Sequence, residues 1–204
     1  MTEKIIGRQK EIKQLQKCMD ANQAQLIIVY GRRRVGKTFL INNFFNGRFD
    51  FKVAGSYAQT KEVQLKNFIT ELNLQSKQKL KVPENWTDAF FCLREYLDTL
   101  PKTEKHVIFF DEMPWFDTPR SDFLSAFEYF WNNWGSAQDN LVCLVCGSAT
   151  AWLVDNIARN KGGLYNRQSC KLYLEPFTLN ETEQYLKVNG FEWSRYQIVE
   201  NYMI

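Results

Sequence analysis

The sequence predicts an α/β fold, in which a five-stranded parallel sheet carries helices on both faces in three layers. Continuous apolar runs at residues 26–30 and 141–146 have the length and composition of strands that are buried on both sides. These runs alternate with longer segments whose apolar residues recur at helical spacing. Such alternation is typical of a parallel sheet, because each connection between parallel strands crosses over through a helix.

The first half of the chain predicts four helices and two strands. Apolar residues recur at helical spacing over residues 8–20, over 38–46, around 65–72 and from about 87 onward. Pro101 ends the last of these helices, because proline disfavours a helical residue before it. The strands are predicted at 26–30 and 49–54, and residues 76–83 are expected to form a polar loop.

The second half continues the alternation. A strand at 106–110 runs into Asp111 and Glu112, and further strands are predicted at 141–146 and 171–174. Helices are predicted at 123–134, at 149–158 and from Asn180 onward, where acidic residues in the first turn favour a helix start. The aromatic stripe of residues 123–134 fits a helix packed on the sheet. The alternative is a groove that binds a partner.

Composition limits the classes of protein that this chain can belong to. Its 204 residues fit one domain, and 45% apolar and 15% aromatic residues exclude a disordered chain. A net charge of +3 neither requires nor excludes nucleic acid as a partner. The charged amino terminus lacks the apolar segment of a secretion signal, and no apolar run approaches the ~18 residues that a membrane span needs. We therefore expect a soluble, cytoplasmic protein without membrane contact.

The cysteines agree with that compartment. There are five, an odd number, whereas a disulfide framework in a small secreted chain favours an even number. Cys143 and Cys146 have a spacing seen in metal sites, but they lie within an apolar run. Two buried thiols on a strand are the preferred interpretation.

The most informative segment is GRRRVGKT at residues 31–38, directly after the first predicted strand. A glycine-rich turn between a strand and a helix presents backbone N–H groups that can hold phosphates. In this interpretation Lys37 binds the β and γ phosphates, and the Thr38 hydroxyl binds Mg²⁺. The predicted nucleotide-binding residues are Gly31, Arg32, Arg33, Arg34, Val35, Gly36, Lys37 and Thr38. The arginine side chains could contact the nucleotide or a neighbouring molecule, or extend into solvent.

A second motif is the acidic pair that ends the strand at 106–110. Two carboxylates after a buried strand are costly unless they have partners or a chemical role. We expect Asp111 to complete the Mg²⁺ site with Thr38, and Glu112 to activate the water that attacks the γ-phosphate. The alternative is a strand end that reaches solvent. Ligands of open α/β sheets bind at the carboxyl ends of the strands, so Gly31, Asp111 and Ser148 are predicted at one edge.

The order of these motifs resembles that of AAA+ type P-loop ATPases, and within them the archaeal-type ATPase family of the STAND-like branch. The segment IGRQKEI (6–12) is similar to the amino-terminal Gly-Arg box of that family. GRRRVGKT is similar to its Walker A motif, and FFDEMPW (109–115) is similar to its Walker B motif. The later family segments are similar to CGSA (146–149), GLYNR (163–167) and LEPF (174–177). The resemblance implies a P-loop NTPase fold, ATP as substrate and Mg²⁺ as cofactor.

The resemblance also assigns roles to two residues. Ser148 would sense the γ-phosphate, and Arg167 would approach it, either within the molecule or from a neighbouring subunit. Asn166 stands where the family usually has glycine. We expect residues 1–178 to form the ATPase core and residues 179–204 to begin a helical segment that is truncated here. DNA or a protein partner could bind through the missing part, and the chain could form a homo-oligomer.

Two functions follow as hypotheses. The first is an Mg²⁺-dependent ATPase whose nucleotide state changes the arrangement of the carboxyl-terminal helices. The second is a binding switch that holds ATP, turns it over slowly and controls the docking of a partner. A nucleotide kinase is less favoured, because Glu112 directly follows Asp111 and no acceptor site is evident.

Overall fold

The computed structural model describes residues 5–158, 164 and 167–202, and within them five strands alternate with helices. The strands are β1 (Gln25–Tyr30), β2 (Phe51–Ala54), β3 (His106–Asp111), β4 (Leu141–Gly147) and β5 (Cys170–Tyr173). The helices are α1 (Gln9–Asp20), α2 (Lys37–Phe44), α3 (Lys61–Ser76), α4 (Trp86–Asp98), α5 (Phe123–Asn133), α6 (Thr150–Leu153), α7 (Leu179–Val188) and α8 (Arg195–Tyr202). Short 3₁₀ turns follow β3 and α5, at Met113–Phe116 and Gly135–Ala137, and a π-helical turn, Val154–Ala158, extends α6.

The five strands form one parallel sheet in the order β2-β3-β4-β1-β5. In the register of β1, Tyr30 lies opposite Gly147 of β4 and Tyr173 of β5. β2 lies at one edge of the sheet and pairs only with β3, so that Ala54 lies opposite Asp111. β4 therefore separates β1 from β3, and the carboxyl ends of these three strands lie side by side.

Helices cover both faces of the sheet, as predicted. Alternate residues of β1 point in opposite directions: Leu26 and Ile28 pack with α3, α4, α5 and α6, whereas Ile27 and Val29 pack with α1 and α2. The first of these layers is rich in rings, among them Trp86 and Phe123, whose centroids lie 4.8 Å apart. Because the three central strands β3, β4 and β1 are buried on both sides, their sequences are almost continuously apolar, whereas the outer strands β2 and β5 alternate buried and more exposed residues.

The order of the elements is confirmed, and some of their limits differ from the predicted ones. β2 begins at Phe51 and not at residue 49, because the Phe49 ring packs against Phe45 and Phe109 beside the sheet. α4 ends at Asp98, and Leu100 packs on the core from the turn that follows. α7 begins at Leu179, one residue early, because Thr178 caps it by accepting from the Glu181 N–H.

Two glutamines of α3 bind the outer backbone of β2 and of the segment that directly follows it. The Gln75 amide accepts from the Lys52 N–H at 2.7 Å and donates to the Lys52 carbonyl at 2.8 Å. Gln64 does the same for Ser56, at 3.1 and 2.6 Å. Gln75 thus supplies one donor and one acceptor to the edge of β2, as a neighbouring peptide group would, and Gln64 does so for the backbone just after the strand.

Among the described residues, none of the helices has the length and apolar character that crossing a bilayer requires.

Candidate functional site

The loop from Gly31 to Gly36 connects β1 to α2, and two of its positions need glycine. Gly31 has a φ of 149°, and a Cβ there would collide with the Leu174 carbonyl oxygen. Gly36 has a φ of 88° and directly precedes the first residue of α2. A side chain at either position would be strained, since L-residues rarely adopt these conformations. The loop therefore brings its backbone to the amino terminus of α2, where N–H groups are free to bind an anion.

Lys37, the first residue of α2, holds its charge against this loop. Its side chain is almost fully buried, at 6% exposure. The ammonium group donates to the carbonyls of Gly31 at 3.0 Å and Arg32 at 2.8 Å. A cation is therefore positioned inside the turn and not in solvent.

The predicted metal ligands, Thr38 and Asp111, are in direct contact. The Thr38 hydroxyl lies 2.9 Å from Asp111 Oδ2 and 3.2 Å from Oδ1. This contact joins α2 to the end of β3 across the end of β4. The donor set fits Mg²⁺, which favours hydroxyl and carboxylate oxygens and usually keeps only one or two protein carboxylates beside water and phosphate.

The side chain of Glu112 is hydrogen-bonded to Ser148, the predicted sensor residue. Its Oε2 accepts from the Ser148 N–H at 3.1 Å and from the Ser148 hydroxyl at 3.0 Å. The backbone of Glu112 is left-handed, with φ 43°. It is held there closely, since a Cβ on Gly55 would lie only 2.5 Å from the Glu112 carbonyl oxygen. The chain thus turns sharply after β3 and directs this carboxylate toward the end of β4.

Cys146 lies beneath the acidic pair. Burial, followed by the negative charge of Asp111, raises the pKa of this thiol well above its usual value, whereas Lys37 acts in the opposite direction. The thiol therefore stays protonated. It is a buried thiol, as predicted, but its position beside Lys37, Asp111 and Glu112 was not evident from the sequence.

A cavity of about 660 Å³ adjoins the loop, and sequence reasoning missed it. Three parts of the chain line it: the amino-terminal segment, the loop with the start of α2, and the segment from Pro176 through α7. The lining residues are Ile6, Arg8, Arg34, Val35, Gly36, Phe39, Pro176, Phe177, Tyr185, Val188 and Asn189. The Gly-Arg box at residues 6–12 was the available signal, since Ile6 and Arg8 of that box form one wall.

The remaining predicted residues are less closely connected to this site. The side chains of Arg32, Arg33 and Arg34 are exposed, and Arg34 lines the cavity. Arg167 is also exposed, and its backbone N–H donates to the Leu164 carbonyl at 3.2 Å. In the described part of the chain, no hydrogen bond or ion pair joins its side chain to the loop or to the acidic pair. Gly163, Tyr165 and Asn166 of the GLYNR segment lie outside the described residues.

A family model described as an ATPase domain predominantly from Archaea matches residues 5–197. That range spans almost the whole chain, including the loop, the acidic pair and α7. The chain belongs to this family. Membership confirms the resemblance drawn from the motifs.

Curated relatives of this ATPase domain occur in Methanocaldococcus jannaschii. A protein of that organism with no assigned function is 23% identical over 182 residues, which are 89% of this chain and 38% of the relative. Another, named as ATP-binding, is 46% identical over 44 residues, which are 22% of this chain and 75% of the relative.

Solved structures with the same fold come from other archaea. A Walker-type ATPase of Pyrococcus abyssi has a TM-score of 0.66 at 20% identity. The match covers 97% of this chain and 62% of the Pyrococcus chain. The ORC2 protein of Aeropyrum pernix, solved with ADPNP and ADP, has a TM-score of 0.66 at 15% identity, with coverages of 95% and 56%. Cdc6p of Pyrobaculum aerophilum has a TM-score of 0.63 at 16% identity, with coverages of 92% and 50%. The likeness confirms the P-loop NTPase fold, and this chain spans under two thirds of each of these structures.

Proposed function

We propose that this chain binds ATP with Mg²⁺ and hydrolyses it to ADP and phosphate. The observation that carries the proposal is the contact between Thr38 of α2 and Asp111 at the end of β3, which would supply two oxygen ligands beside the phosphate loop. The buried Lys37 and the carboxylate of Glu112 belong to the same edge of the sheet. Such an arrangement is the one that phosphoryl transfer to water requires.

Each group has a role in this mechanism. The loop N–H groups and Lys37 bind the phosphates, with the lysine exchanging its carbonyl partners for phosphate oxygens. Thr38 and Asp111 would hold Mg²⁺, which neutralises charge on the phosphates when bound. Glu112 orients a water molecule and accepts its proton. Ser148 holds the Glu112 carboxylate and can turn its hydroxyl toward the γ-phosphate once that contact opens.

The cavity beside the loop is the proposed site of the base and ribose. Its volume of about 660 Å³ lies within the range of small-molecule sites. Phe39 and Tyr185 supply apolar surface, while Arg8 and Asn189 supply polar groups. We propose that the nucleotide extends from this cavity across the loop to Glu112.

The wider biological role is also a proposal. The fold shared with ORC2 and Cdc6p supports an AAA+ type ATPase that changes conformation and acts on DNA or on a protein partner. We further propose that it works in the cytoplasm, that it can form a homo-oligomer, and that residue 178 separates the ATPase core from a helical segment.

A second function is supported by one observation. The Glu112 carboxylate accepts two hydrogen bonds from Ser148. In the described part of the chain, no hydrogen bond or ion pair joins the side chain of Arg167 to the site. A chain in this state would hold ATP and turn it over slowly. It would then act as a regulatory switch.

The decisive experiment removes the carboxylate of Glu112. We expect Glu112→Gln to bind ATP with the affinity of the parent but to hydrolyse it at least about a hundredfold more slowly, because the base is lost. Lys37→Ala provides the comparison, since it should lose binding itself, and Glu95→Gln, an exposed change on α4, should alter neither. Calorimetry with ATP and a phosphate-release assay measure both properties. Undiminished hydrolysis by Glu112→Gln would exclude the proposed base.

A further inference from the structure

The carboxylate of Glu181 joins α7 to the amino-terminal segment. Its Oε2 accepts from the Thr178 N–H at 2.9 Å and from the Thr178 hydroxyl at 3.0 Å, which completes the cap of α7. Its Oε1 accepts from the backbone N–H of Arg8 at 3.1 Å, although the two residues are 173 positions apart. One side chain therefore both starts a helix and fixes a distant loop.

The side chain of Arg8 continues this connection to the phosphate loop. Its guanidinium donates to the Val35 carbonyl at 3.0 Å and stacks over the Phe177 ring at 4.7 Å. Arg8 is only 7% exposed, and its backbone is left-handed, with φ 59°. An arginine in this uncommon backbone conformation needs neighbours that hold it there.

The fit around Glu181 is close. Gly7 has a φ of 66°, and a Cβ on it would lie 2.5 Å from Glu181 Oε1. The carboxylate thus fills the space that a side chain at position 7 would need. The amino-terminal segment and α7 touch with no room for an intervening group.

These contacts bring together the three parts of the chain that line the cavity. Arg8 belongs to the first wall, Val35 to the second, and Phe177 with Tyr185 to the third. The connection from α7 to the loop passes through Glu181 and then Arg8. Glu181 does not itself line the cavity.

We propose that Glu181 is a positioning residue of the nucleotide site, which acts through Arg8 to hold α7 against the phosphate loop. The inference rests on the proposed binding of ATP in the cavity. Coupling of this kind is reciprocal: if the attachment of α7 raises the affinity for the nucleotide, the nucleotide stabilises the attachment of α7 by the same factor. Occupancy of the loop is thereby transmitted to α7.

A double-mutant cycle tests this inference. We expect Glu181→Ala to raise the Kd for ATP about tenfold while kcat at saturating ATP changes less than about twofold, since the catalytic edge is untouched. In an Arg8→Ala background the same change should raise Kd less than about twofold, because its route of action is already gone. Glu183→Gln is the matched control on the same helix. It loses ion pairs with the exposed side chains of Lys187 and Arg195 and should leave Kd unchanged.

Hydrogen exchange supplies an independent readout. ATP should increase the protection of the α7 amides in the parent and in Glu183→Gln, but not in Glu181→Ala. If Glu181→Ala does not fold, Glu181→Gln, which keeps the length of the side chain, takes its place in the cycle.

The outcomes separate the two proposals. Equal Kd values for the parent and Glu181→Ala, or an equal effect of that change with and without Arg8, would overturn the inference alone. A parent chain that fails to bind ATP would overturn the proposed function and this inference with it.

Discussion

Two side-chain pairs, Thr38 with Asp111 and Ser148 with Glu112, define the chemistry of this edge at the scale of single residues. In the proposed mechanism, the first pair would supply oxygen ligands for a cation and the second would hold the base. The two carboxylates are adjacent in sequence, yet they face different partners because Glu112 adopts a left-handed backbone. A single turn of the chain thus directs the two carboxylates to separate partners.

The hydrogen bonds of the Glu181 carboxylate lead to a prediction about pH at the same scale. Burial opposes ionisation of this carboxyl, but hydrogen bonds from the Thr178 and Arg8 backbones outweigh it and hold its pKa below the usual value. A lowered pKa in the folded state stabilises the fold above the unfolded pKa of about 4.3, and this stabilisation is lost as the pH falls through the folded pKa. We therefore expect the Tm difference between the parent and Glu181→Gln to be largest near neutral pH and to vanish in acid.

Thermal melts between pH 3 and pH 7 measure this difference. Glu95→Gln, whose carboxyl lies on an exposed part of α4, should show no comparable dependence. A difference that grows toward acid would contradict the assigned sign.

At the scale of elements, sequence patterns predicted where helices and strands lie along the chain. They predicted less well which of these elements contact each other. Continuous apolar runs located β1, β3 and β4, since strands buried on both faces leave this signature, whereas β2 and β5 were predicted from short segments that also contain lysine. The phosphate loop and the acidic pair were also evident, because each needs particular residue types at fixed spacing. The structure places Thr38, next to the phosphate loop, in contact with Asp111, as expected. The chemical roles of these residues stay predictions.

Other features depend on contacts that no local pattern specifies. The position of β4 between β1 and β3 follows from packing over the whole sheet. The contact between Arg8 and Glu181 joins residues that are far apart in the chain, so neither spacing nor periodicity indicates it. His106, the single histidine, is held by the Asp50 carboxylate at 3.0 Å, which agrees with a structural role.

The glutamine contacts along β2 lead to a prediction for this element. Gln75→Ala removes two hydrogen bonds to the Lys52 backbone and leaves those groups to water. We expect a loss of about 1–3 kcal/mol in the free energy of unfolding, in line with two such bonds at a half-buried position. Gln59→Ala, an exposed change in the preceding loop, is the control. Chemical denaturation measures both, and equal stability of the two variants would contradict the role of Gln75.

At the scale of the whole molecule, the question is whether one chain forms a complete catalytic site. The phosphate loop, the acidic pair and Ser148 come from three adjacent strand ends of one sheet. A second positive charge on the transferring phosphate, in addition to Lys37, is not among them, since in the described part of the chain no hydrogen bond or ion pair joins the Arg167 side chain to the site. We infer that a neighbouring molecule supplies it.

Turnover at different protein concentrations tests this arrangement. We expect the rate per molecule to rise with concentration, and Arg167→Ala to abolish the rise, because an arginine of this kind contributes about 10³–10⁵ in rate. Arg94→Ala, an exposed change on α4, should preserve it. A fast rate that is independent of concentration would rule out both the supplied arginine and the switch. A slow rate that stays constant would favour the switch.

The covered edge of β2 has a consequence for how these molecules meet one another. Sheets of separate proteins can merge when an exposed border offers free peptide groups, and the resulting aggregates are difficult to dissolve. Here Gln75 already occupies the backbone of Lys52 in β2, and Gln64 occupies that of Ser56 just after it, so an incoming strand would first have to displace the Gln75 amide. On this side, we expect the Gln75 contact to hinder two colliding copies of the chain from joining their sheets.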